Sequence, residues 1–498
     1  LHKPEKNISD TSTSQLLKGS TIVFGLNAAS KVLTTGLKSL IAHLLGPTGL
    51  GVYELVLALT RFLSMIPQMG LHQTIVQFIS IYRSNNEWNQ IRGAVRFGLI
   101  VVLSFSIVIS TVLLFGLDTF RELLFGNEVS VNVVLLTVFL IPLFSAKNFL
   151  SLSFRGLKKY GKEIFYNNTL FPFLVIISVI LFYLLQGEIT IEFVLMVTLC
   201  SVLISMVGAF IAVQRRFISL GMVIEKFREK KRLLTYSIPV WFNTVLSTSY
   251  SQLDRIFLGL LSTVTQVGLY ASAYVVALLI SFVLNSFNPI FQPLFAESYA
   301  NRDVRKMKAL YQKVVNWTSY LVFPILGGIF LFGDSVLKIV FGAEFVQAYP
   351  ILLILAFAEC VNALAGPSGN ILLMAERQKE SAWILGIGFI IGVFLNLILI
   401  PYFDALGAAI GTGVGLIIIN YLRVYIVRKR FKIALTYLKS IWAILIVLIA
   451  VISTYLFSFL HQNIYVSFII YSISISLMYY LFLDTREIVR HILRRIEY

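Results

Sequence analysis

The sequence predicts an all-α polytopic membrane protein of about fourteen transmembrane helices, built as two pseudo-symmetric six-helix bundles plus two C-terminal helices. Three observations carry this expectation: an apolar composition, a strict alternation of basic and non-basic connections, and an internal repeat. Of 498 residues, 58% are hydrophobic and 13% charged, and the mean hydropathy is +0.85, outside the usual range of soluble domains. Apolar runs such as 95–115 and 441–459 match the ~20 residues that a helix needs to cross a hydrocarbon core. The runs are continuous rather than alternating, which points to helices and not to a transmembrane barrel.

In order, the expected spans are 20–43, 51–80, 93–116, 130–154, 164–186, 190–214, 233–260, 267–298, 310–333, 347–374, 381–401, 406–427, 438–459 and 464–483. A net charge of +17 would point to nucleic acid in a soluble protein, but here the basic residues sit in every second connection. Those connections hold 33 of the 41 Lys and Arg residues, and the opposite set holds only Arg121 and Lys338. The positive-inside rule therefore places both termini in the cytoplasm of a cell-membrane (inner-membrane) protein, and no nucleic-acid partner is expected. The organisation that follows is a cytoplasmic tail 1–19, a bundle 20–214, a basic linker 215–232, a second bundle 233–427, two further helices over 438–483 and a basic tail 484–498. The polar stretch before the first span ends in no small-residue cleavage site, so that span reads as a retained helix.

The repeat appears when the chain is slid along itself by about 217 residues. Gly51-Val52-Tyr53 then falls on Gly268-Leu269-Tyr270, and Phe125-Gly126-Asn127 meets Phe341-Gly342-Ala343. Six helices per repeat keep both halves in one orientation, with their symmetry axis along the membrane normal.

Six basic side chains are left inside spans: Lys31, Lys38, Arg61, Lys147, Arg255 and Arg423. A cation at membrane depth costs on the order of 3 kcal/mol unless it meets a partner or a wet cavity. Lys147 and Arg423 are expected to snorkel towards helix ends. Asn27, Lys31, Thr34 and Lys38 share one helical face. The repeat carries that face onto Thr244, Thr248, Ser251 and Arg255, so that a second polar stripe ends in a second cation. Arg61 stands seven residues from both Glu54 and Gln68 and is expected to line the same cavity. Lys31, Lys38, Arg61 and Arg255 are thus the candidate ligands of an anionic head group, with diphosphate the best match. Asn27, Thr34, Thr244, Thr248 and Ser251 are candidate polar lining. Glu54, Asp254 and Glu359 are candidate charge partners or ion-coupling groups, and the plainer alternative is that they merely neutralise the cations as structural glue: Lys31 with Glu54, and Arg255 or Arg61 with Asp254 or Glu359. Trp241, Tyr250 and Tyr274 are candidate sugar platforms. Pro67, Pro142, Pro239 and Pro289 fall inside spans and are expected to kink them. Gly407, Gly411, Gly413 and Gly415 read as a close helix contact, not a phosphate loop. Cys200 and Cys360 support neither a disulfide nor a metal site, and no metal or organic cofactor is expected.

The stretch Ala42-His43-Leu44-Leu45-Gly46-Pro47-Thr48-Gly49-Leu50-Gly51-Val52-Tyr53 resembles the signature after the first helix of the polysaccharide-exporter (O-antigen flippase) branch of the multidrug/oligosaccharidyl-lipid/polysaccharide flippase superfamily. His43 stands where Arg is usual. Tyr236-Ser237-Ile238-Pro239, Asp254-Arg255, Leu258-Gly259, Val267-Gly268-Leu269-Tyr270 and Phe341-Gly342 are similar to further motifs of that family. The resemblance implies a membrane flippase moving a polyprenyl-diphosphate-linked oligosaccharide from the cytoplasmic to the outer leaflet by alternating access, for cell-surface polysaccharide biosynthesis. It implies coupling, in many members, to an ion gradient (H+ or Na+). The implied partners are the lipid-linked glycan, membrane lipids and other polysaccharide-assembly membrane proteins. Of the candidate ligands only Arg255, with Asp254, falls on a family motif.

Two rival readings remain at this level. A drug or metabolite cation antiporter of the same fold would favour an acidic cavity, and here the central excess is basic. An integral-membrane polysaccharide polymerase or ligase would carry its chemistry in a large outer loop, and no long outer connection or nucleophile with its base is present, so no enzymatic activity is expected.

Overall fold

In the computed structural model, residues 8–125, 129–219, 227–433, 435, 438–461 and 464–482 are described. Residues 1–7 of the first tail, Gly126 and Asn127 of the repeat, residues 220–226 of the linker and the tail 484–498 lie outside the described residues. All regular structure among the described residues is helical: α1 (Ile8–Gln68), α2 (Leu71–Ser84), α3 (Trp88–Phe115), α4 (Leu117–Phe125), α5 (Val131–Gly156), α6 (Tyr160–Ile164), α7 (Leu170–Gln186), α8 (Ile191–Ser219), α9 (Lys230–Leu261), α10 (Val264–Ala300), α11 (Val304–Phe341), α12 (Tyr349–Leu364), α13 (Ser368–Met374), α14 (Gln378–Phe431), α15 (Leu438–His461) and α16 (Ile464–Phe482). Nine helices among the described residues are long and apolar enough to cross a membrane.

The helix boundaries differ from the expected spans where backbone geometry intervenes. α1 runs through the expected loop at 44–50 but turns sharply at Gly46, whose φ of 66° and ψ of −169° are non-helical. Glycine adopts that conformation freely, and Pro47, lacking an N–H, loses little by opening the second limb. The expected span 51–80 is interrupted, because Met69 (φ 43°) and Gly70 (φ 71°) end the second limb before α2. Likewise 347–374 breaks at Gly366 (φ 60°) into α12 and α13. The expected spans 381–401 and 406–427 are the two limbs of α14, separated by a sharp turn at Asp404 (φ 48°, ψ −129°). Gly407 and Gly411 bring its second limb against the carbonyl of Leu399 and the side chain of Asn396, close approaches that a Cβ would block.

The chain divides into two compact units: 1–272 with 340–345 and 385–412, and 273–339 with 346–384 and 413–498. In the first, α5 packs against α1, α2, α3 and α8, and α1 packs against α9. One of its apolar clusters joins Ile75, Phe78 and Ile79 of α2, Ala94 and Val102 of α3, Phe149 and Phe154 of α5 and Ala209 and Phe217 of α8. In the second, Phe332 of α11, Ala450 of α15 and Tyr471 and Ile475 of α16 form a cluster, and Tyr471 donates a hydrogen bond to the Pro324 carbonyl (2.7 Å).

The repeat has a physical counterpart inside the first unit. The hydroxyls of Thr48 and Thr265, 217 positions apart, are 2.9 Å from each other. Beside them a Cβ on Gly51 would strike the Val264 carbonyl, and one on Gly268 would strike the Pro47 carbonyl. These are the same contact seen from the two repeats, so a local two-fold relation passes between Thr48 and Thr265.

Candidate functional site

The turn at Gly46 folds the two limbs of α1 alongside each other, and Lys38 and Glu54 stand at equal steps on either side of it. Their side chains meet: Lys38 Nζ is 2.8 Å from Glu54 Oε1. The other carboxylate oxygen, Oε2, lies 3.5 Å from Arg255 Nε on α9. Side-chain exposures of 16% for Lys38, 2% for Glu54 and 4% for Arg255 put this triad inside the first unit. Glu54, weighed from the sequence as a plain partner for Lys31, is held by Lys38: the limbs cross at the level of Lys38, one face-repeat further along, and the carboxylate pairs there.

Arg61, two turns beyond Glu54 on the same limb, is close enough for its charge to interact with Glu54 and Arg255. Lys31 is exposed and its charge interacts with Arg61, Glu54 and Arg255. The four sequence-selected cations are therefore brought into one electrostatic neighbourhood around Glu54. Asp254 is also buried. It accepts hydrogen bonds from the Tyr270 hydroxyl (2.6 Å) and from the backbone N–H of Arg255 (2.8 Å). Arg255 further donates through Nη1 to the Ser251 carbonyl at 3.2 Å. Tyr270 was not singled out as a site residue from the sequence; its place in a short motif beside the repeat was the available signal.

The polar stripes are divided. Thr34 donates to the Lys31 carbonyl (2.9 Å), Thr244 to the Val240 carbonyl (2.9 Å) and Ser251 to the Thr248 carbonyl (2.9 Å), all within their own helices. Such bonds satisfy hydroxyls in an apolar setting without needing a ligand. Thr248 is partly exposed and Asn27 exposed. Of the expected sugar platforms, Trp241 donates to the Met65 carbonyl (3.1 Å) and Tyr250 to the Thr412 carbonyl (3.2 Å), which fixes both rings to neighbouring backbone. Glu359 belongs to the second unit, where the Ser281 hydroxyl and the Asn362 amide (3.1 Å) donate to it. Tyr274 also belongs to that unit.

Lys147 is corrected too. Rather than snorkelling it is 1% exposed: its ammonium donates to the Asn167 carbonyl (2.9 Å) and lies over the rings of Phe144 (4.4 Å) and Phe171 (4.6 Å). Asn167 is part of a π-helical turn, Phe165–Thr169, between α6 and α7. A π turn disturbs the regular helical ladder, and the lysine supplies a donor there while the rings offset part of its desolvation.

Comparison with known proteins places this geometry. A family model described as "Polysaccharide biosynthesis protein" matches residues 40–350. The probable low-salt glycan biosynthesis flippase Agl15 of Haloferax volcanii is 25% identical over 226 residues, which cover 45% of this chain and 48% of that protein; the chain thus spans about half the length of this relative. Among solved structures, the lipid II flippase MurJ in an inward closed conformation superposes with a TM-score of 0.70 at 15% identity, covering 92% of this chain and 99% of the other. An inward-facing multidrug resistance MATE family transporter of the MOP superfamily gives 0.63 at 15% identity over 81% and 94%. The expected all-α polytopic membrane fold is therefore shown, the chain is a multi-pass membrane protein with the fold of these transporters, and by its match over 40–350 it belongs to the polysaccharide biosynthesis protein family.

Proposed function

We propose that the protein is a flippase that carries a polyprenyl-diphosphate-linked oligosaccharide from the cytoplasmic to the outer leaflet by alternating access. One observation carries the reading: Lys31, Lys38, Arg61 and Arg255, from two related parts of the chain, gather around Glu54. Cations outnumber carboxylates there, so the site has positive charge to spare for a diphosphate, whose oxygens can replace those of Glu54 on Lys38 and Arg255. A cation antiporter would require the opposite excess. In this reading fourteen spans form two six-helix bundles, 20–214 and 233–427, with the helices over 438–483 added. Both termini are cytoplasmic, the membrane is the inner one, and an H+ or Na+ gradient drives the cycle without an enzymatic step. Other polysaccharide-assembly membrane proteins receive the product.

The flippase relative and the family match support this reading. It is tested by reconstituting the purified protein in proteoliposomes with a fluorescent lipid-linked oligosaccharide and measuring its accessibility to an outside reagent. Protein-dependent transfer above that of empty vesicles is expected; transfer equal to empty vesicles contradicts the proposal.

A further inference from the structure

A second basic site lies in the first unit, away from the Glu54 cluster and built by residues that the sequence places in basic connections or in the spans 164–186 and 190–214. A cavity of about 530 Å³ opens between α6, the π-helical turn and the end of α8, lined by Lys162, Tyr166, Gly208, Ile211, Arg215 and Arg216 among others. No carboxylate is among the described residues that line it. The nearest in sequence, Glu163, is buried and paired with Arg155 (2.7 Å). The π turn sets Tyr166 in the wall, its ring stacked on Phe154 at 5.9 Å. Gly208 makes room for that ring, since a Cβ there would sit 3.0 Å from Tyr166 Cε1.

The surroundings say what could occupy the cavity. On α8, Ile204, Val207 and Ile211 are exposed and follow helical spacings onto one face, which continues through Gly208 to Arg215. An apolar outward stripe ending in cations is the pattern of a helix leaving the hydrocarbon core for the head-group layer. A ligand matched to this surface has a phosphate between Lys162, Arg215 and Arg216 and a hydrocarbon chain along Ile211, Val207 and Ile204. Basic pockets between membrane helices hold anionic head groups in this way.

We propose that this cavity is a binding site for the phosphodiester head group of an anionic membrane phospholipid, separate from the site for the transported molecule. It does not depend on the flippase reading. The test is native mass spectrometry of the full-length protein in detergent, offered equal amounts of phosphatidylglycerol and phosphatidylcholine. Wild type is expected to retain phosphatidylglycerol preferentially. R215Q, at an exposed position that leaves the fold intact, is expected to weaken retention about fivefold, and K162Q/R215Q/R216Q to abolish the preference, each surface charge contributing about a factor of five. R302Q/R305Q/K308Q removes equal charge from exposed positions around the start of α11 and is expected to leave the preference unchanged. Equal retention by the cavity triple variant, or equal loss in the α11 variant, overturns the proposal. So does displacement of the lipid by inorganic phosphate or pyrophosphate, which would assign the site to a soluble anion.

Discussion

Lys38 and Arg255, 217 positions apart and equivalent in the repeat, each hold one oxygen of the same carboxylate, Glu54, at 2.8 and 3.5 Å. The repeat supplies the two cations but not a second copy of Glu54, because the equivalent position is Ala271. This asymmetry leaves the cluster positive. A buried carboxylate shared by two cations is costly to remove and simple to outcompete, since each cation loses its partner only if no other anion arrives.

Glu54→Gln deprives the half-buried Lys38 and the buried Arg255 of their shared counter-charge. Losing one partner of a buried ion pair costs about 3–5 kcal/mol, so thermal unfolding of the detergent-solubilised variant is expected several degrees below wild type. Added pyrophosphate should recover part of the loss. An unchanged midpoint would show that Glu54 bears no structural load.

At the crossing of the repeats, Gly51→Ala and Gly268→Ala are expected to destabilise alike, by about 1–3 kcal/mol each, since either Cβ meets a backbone carbonyl of the other repeat. Gly36→Ala, with nothing within 4 Å of the added Cβ, is expected to be neutral or stabilising by up to ~1 kcal/mol through helix propensity. Fluorescence-detected size-exclusion thermal shifts separate the three.

Hydropathy was enough to show an all-helical membrane chain, because burial in lipid and apolar composition are the same requirement read twice. The face shared by Lys31 and Lys38, and its repeat at Arg255, was equally legible from helical spacing. Partner choice was not: spacing gives the face of a helix but not the level at which two limbs cross, and the turn at Gly46 decides that Lys38 meets Glu54. The breaks at Met69–Gly70 and Gly366 were hidden for a related reason, since left-handed backbone inside an apolar run leaves the composition unchanged. Lys147 was misplaced because its partner is a carbonyl within a π turn, a feature without a sequence signature here.

Lys147→Met keeps the length and apolar stem of the side chain but removes the donor to the Asn167 carbonyl. Leaving that acceptor unsatisfied is expected to cost about 1–3 kcal/mol, and Lys147→Ala more, because a cavity is added between Phe144 and Phe171. Thermal unfolding of the two variants gives the order; a Met variant as stable as wild type would mean that the bond is not needed.

Outside the spans, the Tyr82 hydroxyl (2.6 Å) and the Arg232 guanidinium (3.0 and 3.1 Å) donate to the Glu229 carboxylate and hold it below the usual carboxylate range. Burial, then the bond to Glu229, pushes the Tyr82 phenol up. A carboxyl whose pKa is lowered on folding contributes stability above its unfolded pKa of about 4.3 and loses it as pH falls through the folded value. The stability gap between wild type and Glu229→Gln should therefore be full near neutral pH and close below roughly pH 4. A gap independent of pH would contradict the assignment.

The central claim is that the cations around Glu54 carry the anionic part of the transported molecule, and the transfer rate of Arg255 variants tests it most directly. In proteoliposomes matched for folded protein, Arg255→Ala is expected to lower transfer of the lipid-linked oligosaccharide at least about tenfold, the loss of a charge-assisted bond to phosphate. Arg255→Lys should retain an intermediate rate. Transfer by folded Arg255→Ala at the wild-type rate would contradict the account.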